Sequence, residues 1–384
     1  GNTLGFARTS NLRQGDEAGF DKFINDAAAG QVGAVVFLNC NPVYNHPKGA
    51  AVANALAKIG FSLSTADRKD ETASSVTYIA PTNHFLESWG DAEPKTGMFS
   101  LSQPTINTLF NTRQEEESIL RWSGNNIEYF DYLKGNWQSF SNGLTDYKYW
   151  SFWDKILQDG IYVLDNESEE EMTANVDASA AAASIAANYK GLGYELALYQ
   201  KVAIGDGTQG NNPWLHETPD PITKVTWDNY LTVAISDAKE LGIDEVELKA
   251  NRVNLTVNGA TVNLPVVIQP GQAKGTFGLA LGYGRTAAGR VGNKLGVNAN
   301  PMIGSLNGTA SYNIMSGVTL EVTADKYQLA RTQTQQTYME RQNVVQEATL
   351  PAYKKDSGAG RFHPHIATWT NEEGEVRPGE ISLW

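Results

Sequence analysis

The chain has 384 residues, of which 41% are hydrophobic and 19% are charged, a composition that is typical of globular proteins and excludes intrinsic disorder. Its 30 basic and 43 acidic residues give a net charge of −13, which argues against nucleic acid or an anionic lipid surface as a partner because both select basic faces. A single cysteine, Cys40, excludes an internal disulfide and a self-contained iron–sulfur cluster, and the apolar runs are shorter than the ~18 residues of a membrane span.

The beginning of the chain predicts alternating strands and helices. Short apolar runs at residues 32–38, 61–64 and 76–80 predict strands, and the stretch 50–59, with Ala, Leu and Lys at helical spacing, predicts a helix between the first two. The Asp-Glu-Thr-Ala sequence at residues 70–73 is expected to open another helix. Strands and helices joined by short connections are typical of a parallel sheet.

The middle of the chain is rich in aromatic residues, with eleven between Trp122 and Trp153. One interpretation is that amphipathic helices pack against the sheet. The other is that this segment forms a docking face, because aromatic side chains anchor interfaces. The acidic residues 165–171 precede an alanine-rich stretch at 173–188, which we predict to be helical because acids at the start of a helix complement its dipole.

From residue 246 the hydrophobic pattern changes to a period of two. Apolar and polar residues alternate around Asn-Gly at 258–259 and Pro-Gly at 270–271, which predicts short strands and hairpins in a barrel or sandwich. We place a domain boundary near residue 240. After residue 324 the chain becomes polar and glutamine-rich, which predicts an extended strap or linker.

One long stretch has an unusual charge. Residues 248–320 contain no acid, and nine glycines lie between residues 271 and 304. The bases of this stretch are Lys249, Arg252, Lys274, Arg285, Arg290 and Lys294. Because glycine lets a backbone approach a ligand closely and exposed N–H groups bind anions, one interpretation is a site for a phosphate-bearing ligand or an acidic partner. The other is a barrel whose turns need glycine and whose acids lie elsewhere by chance.

Within this stretch, residues 282–287 match the dinucleotide-binding pattern G-x-G-x-x-G/A. We reject the match because a functional fingerprint opens a helix and has an acid about 20 residues further on, whereas more glycines and then Glu321 follow here. The histidines form no HExxH motif, and the His-x-His sequence at 363–365 is more typical of a solvated surface than of a metal site. We assign no catalytic residue and no metal ligand to the chain.

Three groups of segments carry a resemblance to a known family. They are residues 33–42 with 70–73, 79–81, 84–87 and 89–91; residues 212–216 with 219–221 and 226–229; and residues 264–267 with 270–271 and 279–285. In these segments the chain resembles the C-terminal half of a molybdopterin oxidoreductase large subunit. Within that family it is most similar to the molybdopterin-like part of the iron–sulfur subunit of alternative complex III, a quinol-oxidising respiratory complex.

The resemblance implies an α/β fold with three parts. A Rossmann-like parallel sheet domain at residues 1–240 is expected to precede a six-stranded β-barrel of the double-psi type at residues 246–323. Residues 324–384 are then a strap toward a following iron–sulfur domain. We also predict that Lys274, Arg285 and Arg290 cluster on the barrel face that meets the first domain, at the cleft that would hold the pterin pyrophosphates in active relatives. An anion is expected near them unless they reach water, because buried cations need a partner.

The resemblance also implies a side of the molecule that faces the pterin in active relatives. The residues on that side are Asn39, Asn41, Asp70, Glu71, Gly282, Gly284 and Arg285. By analogy with alternative complex III, this side is vestigial, the chain holds no cofactor of its own, and iron–sulfur clusters are expected in the adjoining part of the subunit. The alternative is a fragment of an active molybdenum bis-pterin oxidoreductase, in which molybdopterin is bound.

The implied partners are membrane quinol-binding subunits and haem c subunits, on the periplasmic side of the bacterial inner membrane. The chain itself is then a peripheral scaffold in a membrane-bound complex, with no span of its own. A third interpretation is unrelated to redox chemistry: a binding module in which the α/β and barrel domains clamp a nucleotide-like anion.

Overall fold

The computed structural model describes most of the chain. The described residues are 8–12, 15–141, 146–164, 177–188, 193–246, 249–306, 308–333, 344–361, 368–370 and 376–378. The chain divides into two compact units, residues 1–331 and residues 332–384. Within the described ranges, no helix is long and apolar enough to cross a membrane.

Helices and strands are mixed in the first part of the chain, and strands predominate after residue 241. The helices are α1 Glu17–Ala28, α2 Pro42–Asn45, α3 Gly49–Leu56, α4 Glu115–Trp122, α5 Tyr129–Gln138, α6 Asp146–Asp159, α7 Ala178–Asn188, α8 Pro213–Glu217, α9 Ile235–Leu241 and α10 Leu350–Lys355. The strands are β1 Ala34–Phe37, β2 Phe61–Ser64, β3 Tyr78–Ile79, β4 Gly90–Lys95, β5 Met98–Ser102, β6 Ile161–Val163, β7 Tyr194–Tyr199, β8 Leu231–Val233, β9 Glu245–Val246, β10 Lys249–Val257, β11 Ala260–Ile268, β12 Thr276–Ala280, β13 Gly304–Leu306, β14 Thr309–Ser311, β15 Asn313–Gln328, β16 Thr368–Thr370 and β17 Val376–Pro378.

The first three strands form a parallel sheet in the order β1-β2-β3. Helices α1 and α3 cover one face of this sheet, where Ile24, Phe37, Val52 and Leu56 are buried together. The predicted α/β class and the parallel sheet are therefore confirmed, and β2 occupies the predicted residues 61–64.

The predicted helix opening at residues 70–73 is wrong, because these residues form a single turn. The N–H of Ala73 donates to Asp70 Oδ1 and the N–H of Ser74 donates to the Asp70 carbonyl oxygen, both at 2.8 Å. The Ser75 hydroxyl then donates to the carbonyl oxygen of Glu71 (3.0 Å). Serine side chains compete in this way with helical hydrogen bonds, and the chain leaves the turn for β3 instead of continuing a helix.

Part of the aromatic segment packs against a sheet, as the first of the two interpretations expected. Strands β4, β5 and β6 form an antiparallel sheet, and Leu133, Trp137 and Trp153 from α5 and α6 are buried with aromatic rings of that sheet. The indole N–H of Trp137 donates to Asp91 Oδ2 (2.8 Å). Trp122, Tyr132 and Trp150 of the same segment are exposed, so burial accounts for part of the aromatic enrichment and the docking face stays a prediction.

The largest sheet has seven strands in the order β11-β8-β12-β7-β15-β10-β9. Strand β10 also pairs with β11, so six of the strands form a closed ring of pairings, called the ring below, with β9 outside it. On β10, Val253, Leu255 and Val257 are buried while the residues between them are partly exposed. They share one apolar core with Leu231 from β8 and Phe277 from β12.

Two strands of the ring precede residue 240, where the sequence predicted the end of the first domain. Strand β7 pairs in parallel with β12, and β8 pairs in parallel with β11. These pairings join segments that are far apart in the sequence, so the local hydrophobic pattern does not reveal them. The period of two after residue 246 predicted β10 and β11 correctly. The domain limits 1–240 and 246–323 stay predictions.

The second unit contains α10 and the antiparallel pair β16–β17. The predicted strap, residues 324–384, begins inside β15, which continues to Gln328 in the first unit. The acidic residues 165–171 and the His-x-His sequence at 363–365 lie outside the described residues.

Candidate functional site

The candidate site lies at the carboxyl ends of β1 and β2. Because these strands are parallel, the segments that follow them meet at the same edge of the sheet. Asn41, which follows β1, accepts hydrogen bonds through Oδ1 from the backbone N–H and the hydroxyl of Thr72 (3.0 and 2.8 Å). These two bonds fix the turn after β2, which carries Glu71, next to Asn41.

The carboxylate of Glu71 is the centre of the site. Its Oε2 accepts from Asn41 Nδ2 (2.8 Å), and its Oε1 accepts from the backbone N–H groups of Thr286 (2.8 Å) and Ala287 (2.9 Å). The guanidinium of Arg285 donates through Nε to both carboxylate oxygens (3.0 and 3.1 Å) and through Nη2 to Oε2 (2.8 Å). Both oxygens are therefore fully engaged by donors from two distant parts of the chain.

Glu71 and Arg285 form a buried ion pair. Their side chains are 8% and 5% exposed. The remaining guanidinium nitrogen, Nη1, donates to the carbonyl oxygen of Gly207 (2.6 Å), and the centre of the guanidinium lies 4.6 Å from the centroid of the Tyr44 ring. Because every charged atom has a partner, this geometry meets the conditions under which a buried pair persists.

Hydrogen bonding determines the charge of Glu71. Burial alone raises the pKa of its carboxyl group, but the hydrogen bonds from Arg285, Asn41 and the Ala287 N–H outweigh burial and lower that pKa to about 2. Glu71 is therefore ionised at neutral pH. Burial raises the pKa of the neighbouring Asp70, so the two adjacent carboxyl groups are shifted in opposite directions by their surroundings.

Residues 282–288, called the arginine loop, follow β12 and carry Arg285. Gly282 and Gly284 have positive φ angles of 91° and 68°, a region that favours glycine. A Cβ at Gly284 would lie 2.0 Å from the backbone nitrogen of Asn298, and one at Gly282 would lie 2.6 Å from the carbonyl oxygen of Gly205. The arginine loop thus packs against backbone on both sides, which holds Arg285 toward Glu71.

A second set of hydrogen bonds connects α2 to the arginine loop. The hydroxyl of Tyr44 donates to the carbonyl oxygen of Tyr283 (2.8 Å), and burial raises the pKa of Tyr44, which keeps this hydroxyl protonated. Asn298 and Asn300 donate through Nδ2 to the Tyr44 carbonyl oxygen (3.3 and 3.2 Å). These residues were not predicted from the sequence, although the Asn-Ala-Asn-Pro sequence at 298–301, within the glycine-rich stretch, was an available signal.

A cavity of about 490 Å³ opens beside the ion pair, and its walls include Glu71, Ser75 and Thr286. Asn39 lines a different cavity, of about 280 Å³, together with Trp89. Asn39 has a positive φ of 42°, and its N–H donates to Thr65 Oγ1 (2.8 Å).

The structure brings together four of the seven residues predicted for the pterin side. Asn41, Glu71 and Arg285 share hydrogen bonds, and Gly284 lines the same cavity as Glu71. Asp70 forms the turn that carries Glu71. Whether any of these residues faces a cofactor stays a prediction.

The predicted cluster of Lys274, Arg285 and Arg290 is wrong. Lys274 precedes β12 and Arg285 follows it, so the two lie at opposite ends of that strand. Lys274 forms an exposed ion pair with Glu240, and Arg290 is exposed. Exposed cations are solvated and need no common anion, whereas the buried Arg285 has one in Glu71. The lack of acids in residues 248–320 therefore does not mark a single binding face.

His216 is a buried residue to which sequence analysis gave no role. Its ring stacks on Trp227 with centroids 5.4 Å apart, and its Nε2 donates to the carbonyl oxygen of Gly210 (2.7 Å), which places the proton on Nε2. Gly210 belongs to the same glycine-rich segment as Gly207, the partner of Arg285. In the part of the chain that the structure describes, no group of three or more His, Cys, Asp or Glu side chains could hold a metal ion.

The donors around Glu71 do not fit an added anion. A phosphate at the arginine loop would need the guanidinium of Arg285 and the N–H groups of Thr286 and Ala287, and all of these already donate to Glu71. The Glu71 carboxylate would also repel a second anion in this buried place. Arg285, which the resemblance places on the pterin side, is thus engaged by a carboxylate of the protein.

Two known proteins are similar to this chain in sequence or fold. No family model matches it. The molybdopterin-binding-like subunit of menaquinone reductase from Nitratidesulfovibrio vulgaris is 24% identical over 266 residues, which are 66% of this chain and 36% of that protein. The solved structure of acetylene hydratase from Pelobacter acetylenicus matches with a TM-score of 0.55 at 12% identity, over 80% of this chain and 46% of that one. The chain therefore spans less than half the length of either protein.

Proposed function

We propose that this molybdopterin oxidoreductase-like region is a cofactor-free scaffold in a subunit of a respiratory quinol-oxidising complex of the alternative complex III type. In this proposal the chain lies on the periplasmic side of the bacterial inner membrane. It contacts membrane quinol-binding and haem c subunits, and iron–sulfur clusters in the adjoining part of the subunit carry the electrons. The chain alone is not catalytic.

The observation that carries the proposal is the occupation of the arginine loop by Glu71. The guanidinium of Arg285 and the N–H groups of Thr286 and Ala287 are the donors that an anionic cofactor would use there, and Glu71 engages all of them. The curated relative supports the same view, since its name describes a molybdopterin-binding-like subunit of a respiratory enzyme.

The fold supports a second part of the proposal, that the ring is a six-stranded β-barrel of the double-psi type. Six strands close on themselves through the pairing of β10 with β11, and their inward side chains form one core. In a small β-barrel the strands close into a ring and their side chains fill the interior.

Metal and pterin analysis tests the cofactor-free state. We expect the purified protein, in its complex, to contain no stoichiometric molybdenum or tungsten by mass spectrometry and to release no fluorescent pterin on oxidation. About one molybdenum and two pterins per chain would instead support the alternative, a fragment of an active molybdenum bis-pterin oxidoreductase.

A second candidate is a complex that reduces menaquinone, and the name of the curated relative favours it. The scaffold role of this chain is the same in both candidates, and the direction of electron transfer distinguishes them. Reduction of haem c by an added quinol would support the first candidate. Reduction of a menaquinone analogue by reduced haem c, without the opposite reaction, would support the second.

A further inference from the structure

We infer that the groups around Glu71 form a small-oxyanion binding site that the protein fills with its own side chain. The donors come from two places in the chain: the amide of Asn41, and residues 285–287 with the guanidinium of Arg285 and the backbone N–H groups of Thr286 and Ala287. The ligand class is a small carboxylate or phosphate compound, one oxyanion group of which takes the place of the Glu71 carboxylate. The inference rests on the proposed function in one respect: it requires that no pterin nucleotide occupies this loop in the wild-type protein.

The donors around Glu71 are arranged to recognise an oxyanion and not only to neutralise its charge. The successive N–H groups of Thr286 and Ala287 both point at Glu71 Oε1 (2.8 and 2.9 Å), and successive backbone N–H groups form anion-binding concavities in proteins. The Arg285 fork spans both oxygens, the arrangement in which arginine recognises carboxylates and phosphates. A salt bridge alone would not need two backbone donors and an amide in addition.

The site has room for a separate ligand once the Glu71 side chain is shortened. Glu71, Thr286 and Ala287 all line the cavity of about 490 Å³, and Ser74 and Ser75 line it as well. The space left by the carboxylate head would therefore be continuous with a cavity large enough for acetate or pyrophosphate. The donors would stay in place because Arg285 is also held by the Gly207 carbonyl oxygen and the Tyr44 ring.

The wild-type site stays closed to free anions because the Glu71 carboxylate is covalently attached to the same chain. A carboxylate carried by the same chain acts at a high effective concentration, which a dissolved anion at millimolar concentration does not exceed. Removal of the tethered carboxylate leaves Arg285 buried without an anion, a state that binding of an external anion relieves. The site is thus open in Glu71→Ala and closed in the wild type.

Chemical rescue tests the inference. We expect Glu71→Ala to have a Tm several degrees below the wild type, and acetate or pyrophosphate at about 20 mM to raise the Tm of the variant by about 2 °C or more through binding to the folded state. The wild type should show no such shift. Glu117→Ala is the control, because it removes one of the two carboxylate partners of Arg121, a more exposed cation on α4, and reports general stabilisation by anions.

Two results would overturn the inference. The first is a Tm of Glu71→Ala that rises with either anion no more than the Tm of Glu117→Ala. The second result concerns the case in which Glu71→Ala does not fold in ordinary buffer. The variant is then refolded with acetate and without it, and Glu71→Gln is refolded in parallel. Folding of Glu71→Ala only with acetate supports the site, whereas its failure to fold even with acetate, while Glu71→Gln folds, contradicts the site. A pterin found in the wild type would overturn the proposed function and would leave these shifts as a separate result.

Discussion

The parallel sheet β1–β3 and the ring bury their apolar side chains in different ways. In the ring, the inward residues of all six strands share one core, and Leu231, Leu255 and Leu279 are fully buried. In the parallel sheet, α1 and α3 cover one face, while Phe61 and Tyr78 on the other face are 41% and 54% exposed. Parallel sheets usually have both faces covered, so the three-stranded sheet is the less self-sufficient of the two regions.

The difference shows where each region gets its stability. Every strand of the ring has at least two hydrogen-bonded neighbours, whereas the parallel sheet has two free edges, β1 and β3, within the described residues. The sheet is connected to the ring through the segments that follow β1 and β2, above all through the ion pair of Glu71 with Arg285. We therefore expect ring-core and ion-pair substitutions to be costly and substitutions on the exposed sheet face to be mild.

The largest effect is expected for Arg285→Met, which breaks the connection between the two regions. The substitution leaves Glu71 buried with a charge and without its cation, and such a change typically lowers the free energy of unfolding by about 3–5 kcal/mol. Urea unfolding followed by tryptophan fluorescence measures it.

Lys274→Met is the matched control, because it removes an exposed cation from the other end of β12. We expect its unfolding midpoint to equal that of the wild type. Equal losses in the two variants would show that the ion pair of Arg285 does not connect the regions as described.

The next effect is expected in the ring core. Leu255→Ala removes a fully buried side chain on β10, and a leucine-to-alanine change in a well-packed core lowers the free energy of unfolding by about 2–5 kcal/mol. The neighbouring Thr256 is partly exposed and faces away from the core, so Thr256→Ala should change it by less than about 1 kcal/mol. Similar losses in both variants would contradict the alternation of β10.

A smaller effect concerns acid stability. The pKa of Glu71 is lowered from its usual 4.5 to about 2 in the folded protein, so its stabilising contribution is complete above pH 4.5 and is lost as the pH falls toward 2. The full shift corresponds to something on the order of 3 kcal/mol. We expect the stability difference between wild type and Glu71→Gln to shrink between pH 4.5 and 2, because glutamine does not titrate. A difference that stays constant over this range would show that Glu71 is not held by Arg285.

Local patterns predicted the parts of the fold that depend on near neighbours. The run at residues 61–64 and the period of two after residue 246 were sufficient to place β2, β10 and β11. The entry of β7 and β8 into the ring depends on pairing with strands far along the chain, and short apolar strands carry no information about which partner they choose. The resemblance to a family, and not the pattern, was what suggested six strands.

The sequence predicted which residues belong to the candidate site, but it did not predict how they contact one another. The resemblance named both Glu71 and Arg285, and it placed both on the side of a cofactor. It did not predict that the two bind each other, because contact between residues 214 positions apart depends on how β2 and β12 end in space. Charge counting also failed, since it treated Lys274 and Arg285 alike although only Arg285 is buried.

The smallest effect is expected on the exposed face of the parallel sheet, where Phe61→Thr tests whether that face contributes to stability. Phe61 is 41% exposed and contacts the ring of Tyr78, with centroids 5.4 Å apart. Threonine is β-branched and suits a strand as phenylalanine does, so the loss is limited to part of one aromatic contact and should be under about 1 kcal/mol. Phe277→Thr makes the same change in the ring core, where the side chain is 1% exposed, and should cost about 3–5 kcal/mol. If urea unfolding gave equal losses for the two, the sheet face would be as well packed as the ring core and the contrast between the regions would be wrong.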